Sequence, residues 1–345
     1  MILLFAVYLL LCLYKVRVMP LNSNQYFIDY ISKEKTASIK GIFIILVFFS
    51  HFNSYNQNII STDPLYIRLF VFIGQAMVAM FLFYSGYGVM ESIRKKGRIY
   101  IQSIPRKRIL VTGCRFACIV LVYALLSLAV GNKITILQLM LSLVGWESVG
   151  NSNWYIFSIL WLYFFSYIAF SVCGDKNNYS VGAWLFLAMT GGYILVMLYL
   201  KQSWWYDTVL CYCVGVFYSL WRGKIEKVIN KSQLQWVLCL LISILLTVFF
   251  TLHPINIWVE MLRNIMFVIA FVILTMRVQF SNSILWWCGE NLFAMYMLQR
   301  IPMILSKKTG LIDWNMYISF GLCIAATILL VVTYSKIIRL FNSVR

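Results

Sequence analysis

The sequence predicts an all-α, polytopic integral membrane protein of about ten to eleven transmembrane helices, with no soluble domain. Three observations predict it. The 345 residues are 62% apolar and only 12% charged, far from the roughly half apolar and quarter charged of a soluble domain. Apolar runs of about 17–25 residues recur from end to end, the length needed to cross a bilayer. Inside lipid each run must satisfy its own backbone groups, which makes helices the default. Finally, most of the basic residues fall into alternate connecting segments.

The apolar runs place spans at 1–14, 41–57, 66–90, 109–130, 154–172, 180–200, 203–221, 236–253, 257–276, 284–305 and 314–335. With the N-terminus outside and the C-terminus in the cytoplasm, 21 of the 29 Lys and Arg residues lie in inner segments. These are Lys15, Arg17, Lys33, Lys35 and Lys40; Arg94, Lys95, Lys96, Arg98, Arg106, Lys107 and Arg108; Lys176; Arg222, Lys224, Lys227 and Lys231; Arg277; and Lys336, Arg339 and Arg345. The positive-inside rule requires this asymmetry. It also accounts for the net charge of +18 without nucleic acid as a partner.

The first span, 1–14, covers roughly 21 Å of helix. A secretory signal carries its positive charges before its apolar run, whereas Lys15 and Arg17 follow it, so the segment reads as a membrane anchor helix. The ten remaining spans form one domain over 36–341. Its longest inner segments are 15–40 and 91–108, and the second is basic enough to bind anionic headgroups or an anionic cofactor. The five prolines fall at helix ends or in loops. Paired Gly- or Pro-broken helices, which often mark transporter sites, are not evident. The nine cysteines lie in or beside apolar spans without a CxxC pair or a Cys/His cluster, so no metal site is expected.

One span carries both an amine and an imidazole. In Ser38–Tyr55, "SIKGIFIILVFFSHFNSY", Lys40 and His51 stand eleven positions apart. That is about three turns and roughly 16 Å, and eleven residues return close to the same helix face. Lys40 then lies at the inner interface and His51 well past the midplane on nearly the same stripe. Ionisable residues inside a membrane are costly and begin as functional candidates. The register suits a reaction whose anionic group is held at the cytoplasmic side while its reactive end reaches across.

A basic residue, ten residues and then histidine in an early membrane helix resembles the signature of the membrane-bound acyltransferase 3 family. The segment Phe81–Tyr87, "FLFYSGY", is similar to that family's aromatic-rich "FF..SG" stretch. Asn153-Trp154-Tyr155 opens a later span in the manner of its "WyL"-type segment. Cys288–Gln299, "CGENLFAMYMLQ", resembles its late "G..S..iYl.H" helix. The resemblance spans roughly residues 36–305. The chain departs from the pattern where Lys40 replaces an arginine, which keeps the charge and loses the bidentate fork, and where Gln299 stands in place of a frequent histidine.

The resemblance implies transfer of an acyl group, usually acetyl from cytoplasmic acetyl-CoA, to a hydroxyl of a cell-surface polysaccharide or glycolipid. The setting it implies is the bacterial inner (plasma) membrane. His51 is the expected general base, because an alcohol attacks only once its proton is accepted and imidazole suits that task. Lys40, Arg106, Lys107 and Arg108 are the expected contacts for the phosphates of acyl-CoA. Tyr84, Ser85 and Asn53 are candidate donors to the developing oxyanion by type and depth, and Trp154 and Glu260 are candidates for the acceptor side.

Each candidate has a plainer reading. His51 could cap a helix. Lys40 could simply snorkel, and Arg106–Arg108 could only fix topology. Ser85-Gly86 suits close helix packing. Trp146, Trp154, Trp204, Trp205 and Trp314 suit an interfacial aromatic belt. Glu260 and Arg263, three residues apart, suit a self-neutralising pair. Glu290 and Arg300 are expected to point inward, Asp207 to sit near the outer end of its span, and His253 to lie in an exposed turn. Two rival functions stand beside the enzyme: a transporter or flippase for a polysaccharide intermediate, which would consume no acyl-CoA, and a structural subunit, which would tolerate loss of His51.

Overall fold

The computed structural model describes residues 1–20, 25–56, 63–173 and 178–343. Lys176 and Arg345, two of the basic residues assigned to inner segments, lie outside the described residues. Among those described, eight helices are long and apolar enough to cross a membrane.

In chain order the helices are α1 (Ile2–Leu13), α2 (Lys33–Tyr55), α3 (Pro64–Ile73), α4 (Ala76–Lys96), α5 (Arg98–Ala129) and α6 (Ile136–Leu143). They continue with α7 (Trp154–Val172), α8 (Tyr179–Leu200), α9 (Leu210–Ile229), α10 (Gln233–Leu252) and α11 (Ile257–Thr275). The late region is broken into α12 (Ser283–Glu290), α13 (Leu292–Leu298), α14 (Arg300–Lys308) and α15 (Leu311–Trp314), before the long α16 (Met316–Ser343). Two three-residue strands, β1 (Val16–Val18) and β2 (Val278–Phe280), pair antiparallel with Arg17 opposite Gln279.

Several sequence expectations change. The span placed at 66–90 is two helices, divided at Gly74–Gln75, so α4 starts deeper than the apolar run suggests. The basic segment 91–108 is helical rather than a loop: α4 runs to Lys96, Gly97 turns the chain, and α5 begins at Arg98. Within α5, Pro105–Leu110 forms a wide π turn. Proline cannot donate the hydrogen bond of a regular turn, and such bulges recur at functional sites. Glu290 does not point inward; it is exposed at the end of α12, with its carboxylate 3.7 Å from Lys33 Nζ. His253 is exposed beyond α10, as expected, with Nδ1 2.9 Å from the Phe249 carbonyl.

α2 is the most buried axis of the bundle together with α4. It starts at Ser32, whose Oγ accepts from Lys35 N–H at 3.3 Å, the usual way to satisfy a first-turn donor. It is pressed against α12 through glycine on both sides. A Cβ on Gly41 would stand 1.8 Å from the Leu285 carbonyl oxygen, and one on Gly289 would stand 1.8 Å from that of Ala37. α4 and α9 meet the same way at Gly86 and Gly215. Small residues let membrane helices approach to backbone contact, and here they fix the residues beside them, Lys40 and Ser85.

α1 lies against this core. Phe5 packs edge-on to Phe49 and Tyr66, and Tyr8 Oη donates to the Ile42 carbonyl at 3.0 Å. At the Lys40 end, Tyr30 Oη hydrogen-bonds Glu226 at 2.9 Å, and Arg222 Nε meets the same carboxylate at 2.6 Å. Arg222 also donates to Tyr87 Oη and the Ile28 carbonyl. This network ties the segment before α2 to α9 and α4.

Candidate active site

Near the end of α2, His51 is part-buried and its ring lies 6.0 Å from that of Tyr296 on α13. Its backbone carbonyl accepts from Ser54 Oγ at 2.6 Å. Its Nδ1 is buried and has no hydrogen-bond partner among the described residues. The imidazole faces a cavity of about 550 Å³ that also takes in Asn53, Trp154 and Glu260. Four of the expected residues, His51, Asn53, Trp154 and Glu260, thus converge on one chamber from α2, α7 and α11.

The same chamber includes residues to which the sequence reading gave no role at this site: Asp207, Arg263, Trp204 and Tyr296. Glu260 and Arg263 form no ion pair among the described residues. Arg263 instead donates through Nη2 to Asn264 Oδ1 at 3.3 Å, and its Nε is buried without a partner. The self-neutralising pair expected from their spacing is therefore replaced by two charges presented to a cavity. Trp205 also departs from the belt reading. It is buried, packed on Phe157 and Trp146, with Lys201 Nζ 4.6 Å from its ring centroid.

A second, smaller chamber of about 210 Å³ lies on the other side of Tyr296. It holds Ser85 from α4, Thr112 and Arg115 from α5, and Tyr155 and Tyr163 from α7. Tyr296 lines both chambers, and its ring stands 5.3 Å from that of Tyr155. Arg115 is the basic residue within this chamber, and a second stands against Tyr163. The Arg108 guanidinium lies 5.8 Å from the Tyr163 ring centroid, and its Nε donates to Tyr100 Oη at 3.2 Å. Lys40 Nζ sits 5.9 Å from the Tyr84 ring and within the electrostatic reach of Arg108.

The expected residues are therefore divided rather than gathered. Ser85 belongs to the smaller chamber, and Lys40, Tyr84 and Arg108 to its basic approach. Tyr84 is buried beside Lys40 and lines neither chamber. Of the basic triplet only Arg108 turns inward, while Arg106 and Lys107 are exposed. Gln299, at the family-variable position, is fully buried and donates to the Tyr296 carbonyl at 3.3 Å where α13 gives way to α14. Arg300 points inward, with Nε on Tyr55 Oη at 3.0 Å and Nη1 on the Asn151 carbonyl at 3.4 Å. Asn53 Oδ1 accepts from Tyr66 Oη at 3.0 Å, which leaves its amide N–H groups for the chamber.

The arrangement defines a polytopic membrane protein with an imidazole in one of two chambers that share Tyr296, the second bordered by cationic side chains. The family comparison agrees. The acyltransferase 3 model, described as an acyltransferase domain, matches residues 37–335, so the chain belongs to that family and is a membrane acyltransferase. No curated protein and no solved structure matches it.

Proposed function

We propose that the chain is an O-acyltransferase, with acetyl the expected group, that takes its acyl unit from cytoplasmic acyl-CoA. The acceptor is a hydroxyl of a cell-surface polysaccharide or glycolipid at the bacterial plasma membrane. The observation that carries the reading is the wall shared by the two chambers. Tyr296 lines both the His51 chamber and one whose wall residue Tyr163 lies 5.8 Å from the Arg108 guanidinium.

The phosphates of the donor are held at the cationic end, where fixed positive charge concentrates anions. The thioester arm extends through the Ser85 chamber towards Tyr296. The acceptor hydroxyl occupies the His51 chamber. As its oxygen attacks the thioester carbonyl, its proton passes to the His51 imidazole. The tetrahedral intermediate then breaks its C–S bond. The leaving thiolate takes the proton back from the imidazolium, giving the ester and free CoA thiol. The amide of Asn53 and the hydroxyl of Ser85 are the available donors to the oxyanion from either side. The opposed placement of the cations and the imidazole supports donor and acceptor arriving from different faces.

Sealed vesicles of one orientation test this. Labelled acetyl-CoA supplied on the Lys40 side is expected to label an envelope glycan extract supplied only on the His51 side. Labelling that requires both substrates on one side contradicts the arrangement.

A further inference from the structure

The His51 chamber holds a charged group that the transfer chemistry does not use. Asp207 follows the single turn Ser203–Trp205 and precedes α9. Its backbone is fixed: its N–H donates to the Ser203 carbonyl at 2.9 Å, and its own carbonyl accepts from Asn264 Nδ2 at 3.1 Å. Its side chain is not satisfied in this way. The residue is 2% exposed and lines the chamber, yet Oδ1 has no hydrogen-bond partner among the described residues. On α11, Arg263 and the like-charged Glu260 lie within its electrostatic reach, and Arg263 forms no ion pair with it among the described residues.

A buried carboxylate with an unpartnered oxygen is costly. A fold that anchors the backbone of such a residue and leaves its carboxylate at a cavity wall has kept the acceptor capacity for something that enters. About 550 Å³ is within the range of small-ligand sites, about 300–1,000 Å³. The wall offers carboxylate oxygens from Asp207 and Glu260, N–H groups from Arg263 and the indole surfaces of Trp154 and Trp204. Carboxylates accept from hydroxyls, guanidinium donates to them, and indoles cover an apolar ring face. Two carboxylates against one guanidinium disfavour a second anion in the same space.

We infer that Asp207, with Arg263 and Glu260, is the specificity subsite for the acceptor, and that the acylated unit is a hydroxyl-rich sugar without an acidic group rather than a uronate. The inference rests on the O-acyltransferase reading and names the substrate class of its site. In this account Asp207 grips hydroxyls adjacent to the one presented to His51.

The test reads binding, independently of turnover. Purified full-length protein in lipid nanodiscs is applied to an array of neutral and uronate-bearing disaccharides, and acetyl-CoA affinity is measured separately by calorimetry. Wild type is expected to retain neutral glycans. Asp207→Asn, matched for thermal stability, should bind them about tenfold or more weakly, the loss of one charge-assisted hydrogen bond, with acetyl-CoA affinity unchanged. Should Asp207→Asn not fold, the half-buried Glu260→Gln carries the same comparison. Retention of uronates alone, no retention by wild type, or equal retention by wild type and variant overturns the inference. Failure of the acyltransferase reading shows separately, as absence of acetyl-CoA binding.

Discussion

The Tyr296 ring stands 6.0 Å from the His51 imidazole and forms part of the walls of both chambers. One side chain therefore divides the space where an acceptor would deprotonate from the space where a thioester would arrive. Its ring also packs 5.3 Å from that of Tyr155, which lines the smaller chamber.

Changing the partition should change coupling. Tyr296→Phe keeps the ring and is expected to retain transfer within about threefold. Tyr296→Ala opens a void of the kind that costs a core residue about 3–5 kcal/mol, and it should let water reach the thioester. The expected signature is acyl-CoA hydrolysis without acceptor, read as free thiol released. A Tyr296→Ala protein that transfers normally and hydrolyses nothing would remove the partition role.

The basic residues should separate by position. Arg108 is turned towards Tyr163, whereas Arg106 and Lys107 are exposed. Arg108→Gln is expected to raise the KM for acyl-CoA by about tenfold, the scale of one lost charge-assisted contact. Arg106→Gln and Lys107→Gln should stay within about twofold. Lys40→Met should behave as Arg108→Gln does, and Lys40→Arg should keep activity. Initial-rate kinetics across the five variants decides this.

Helix contact at Gly41 should be far less tolerant than its small size suggests. A Cβ there would overlap the Leu285 carbonyl oxygen, while one on Gly88 meets nothing within 4 Å. Gly41→Ala is expected to destabilise by about 1–3 kcal/mol or more, the range for overpacking. Gly88→Ala should be neutral or slightly stabilising, since alanine is the better helix former. Thermal unfolding in detergent, followed by tryptophan fluorescence, compares them.

Gln299 answers what became of the frequent histidine position. Its amide caps the Tyr296 carbonyl inside the protein. Gln299→Leu leaves that carbonyl unpaired, at a cost of about 1–3 kcal/mol. The expected result is lower thermal stability with the KM of both substrates nearly unchanged. A selective loss of kcat in a stably folded Gln299→Leu would place the residue in the chemistry instead.

Much of the fold was legible because bilayer thickness and charge bias act on long stretches of sequence, and the eleven-residue register of Lys40 and His51 is a property of one helix. What stayed hidden depends on contacts between distant segments. In the run 66–90 only Gly74 marks the place where the helix stops before restarting at Ala76, because both halves are apolar. The spacing of Glu260 and Arg263 suggested a pair, but both line the chamber without an ion pair among the described residues. Asp207 and Tyr296 were visible as an acid in an apolar stretch and a tyrosine in a quoted motif. Their shared chamber with His51 requires six helices and the segment Ser203–Asp207 to be assembled first. Arg108 could be distinguished from its neighbours only by the π turn that orients it.

The most direct measurement is label transfer from acetyl-CoA to envelope glycan by wild type and by His51→Gln, in membranes with matched expression and thermal stability. His51→Gln keeps a polar side chain near the same place and removes the basic nitrogen. The account predicts a fall of about a hundredfold or more in kcat, in the range general base catalysis contributes, with the KM for acetyl-CoA little changed. Equal rates in the two proteins would contradict His51 as the base and, with it, the central reading of the site.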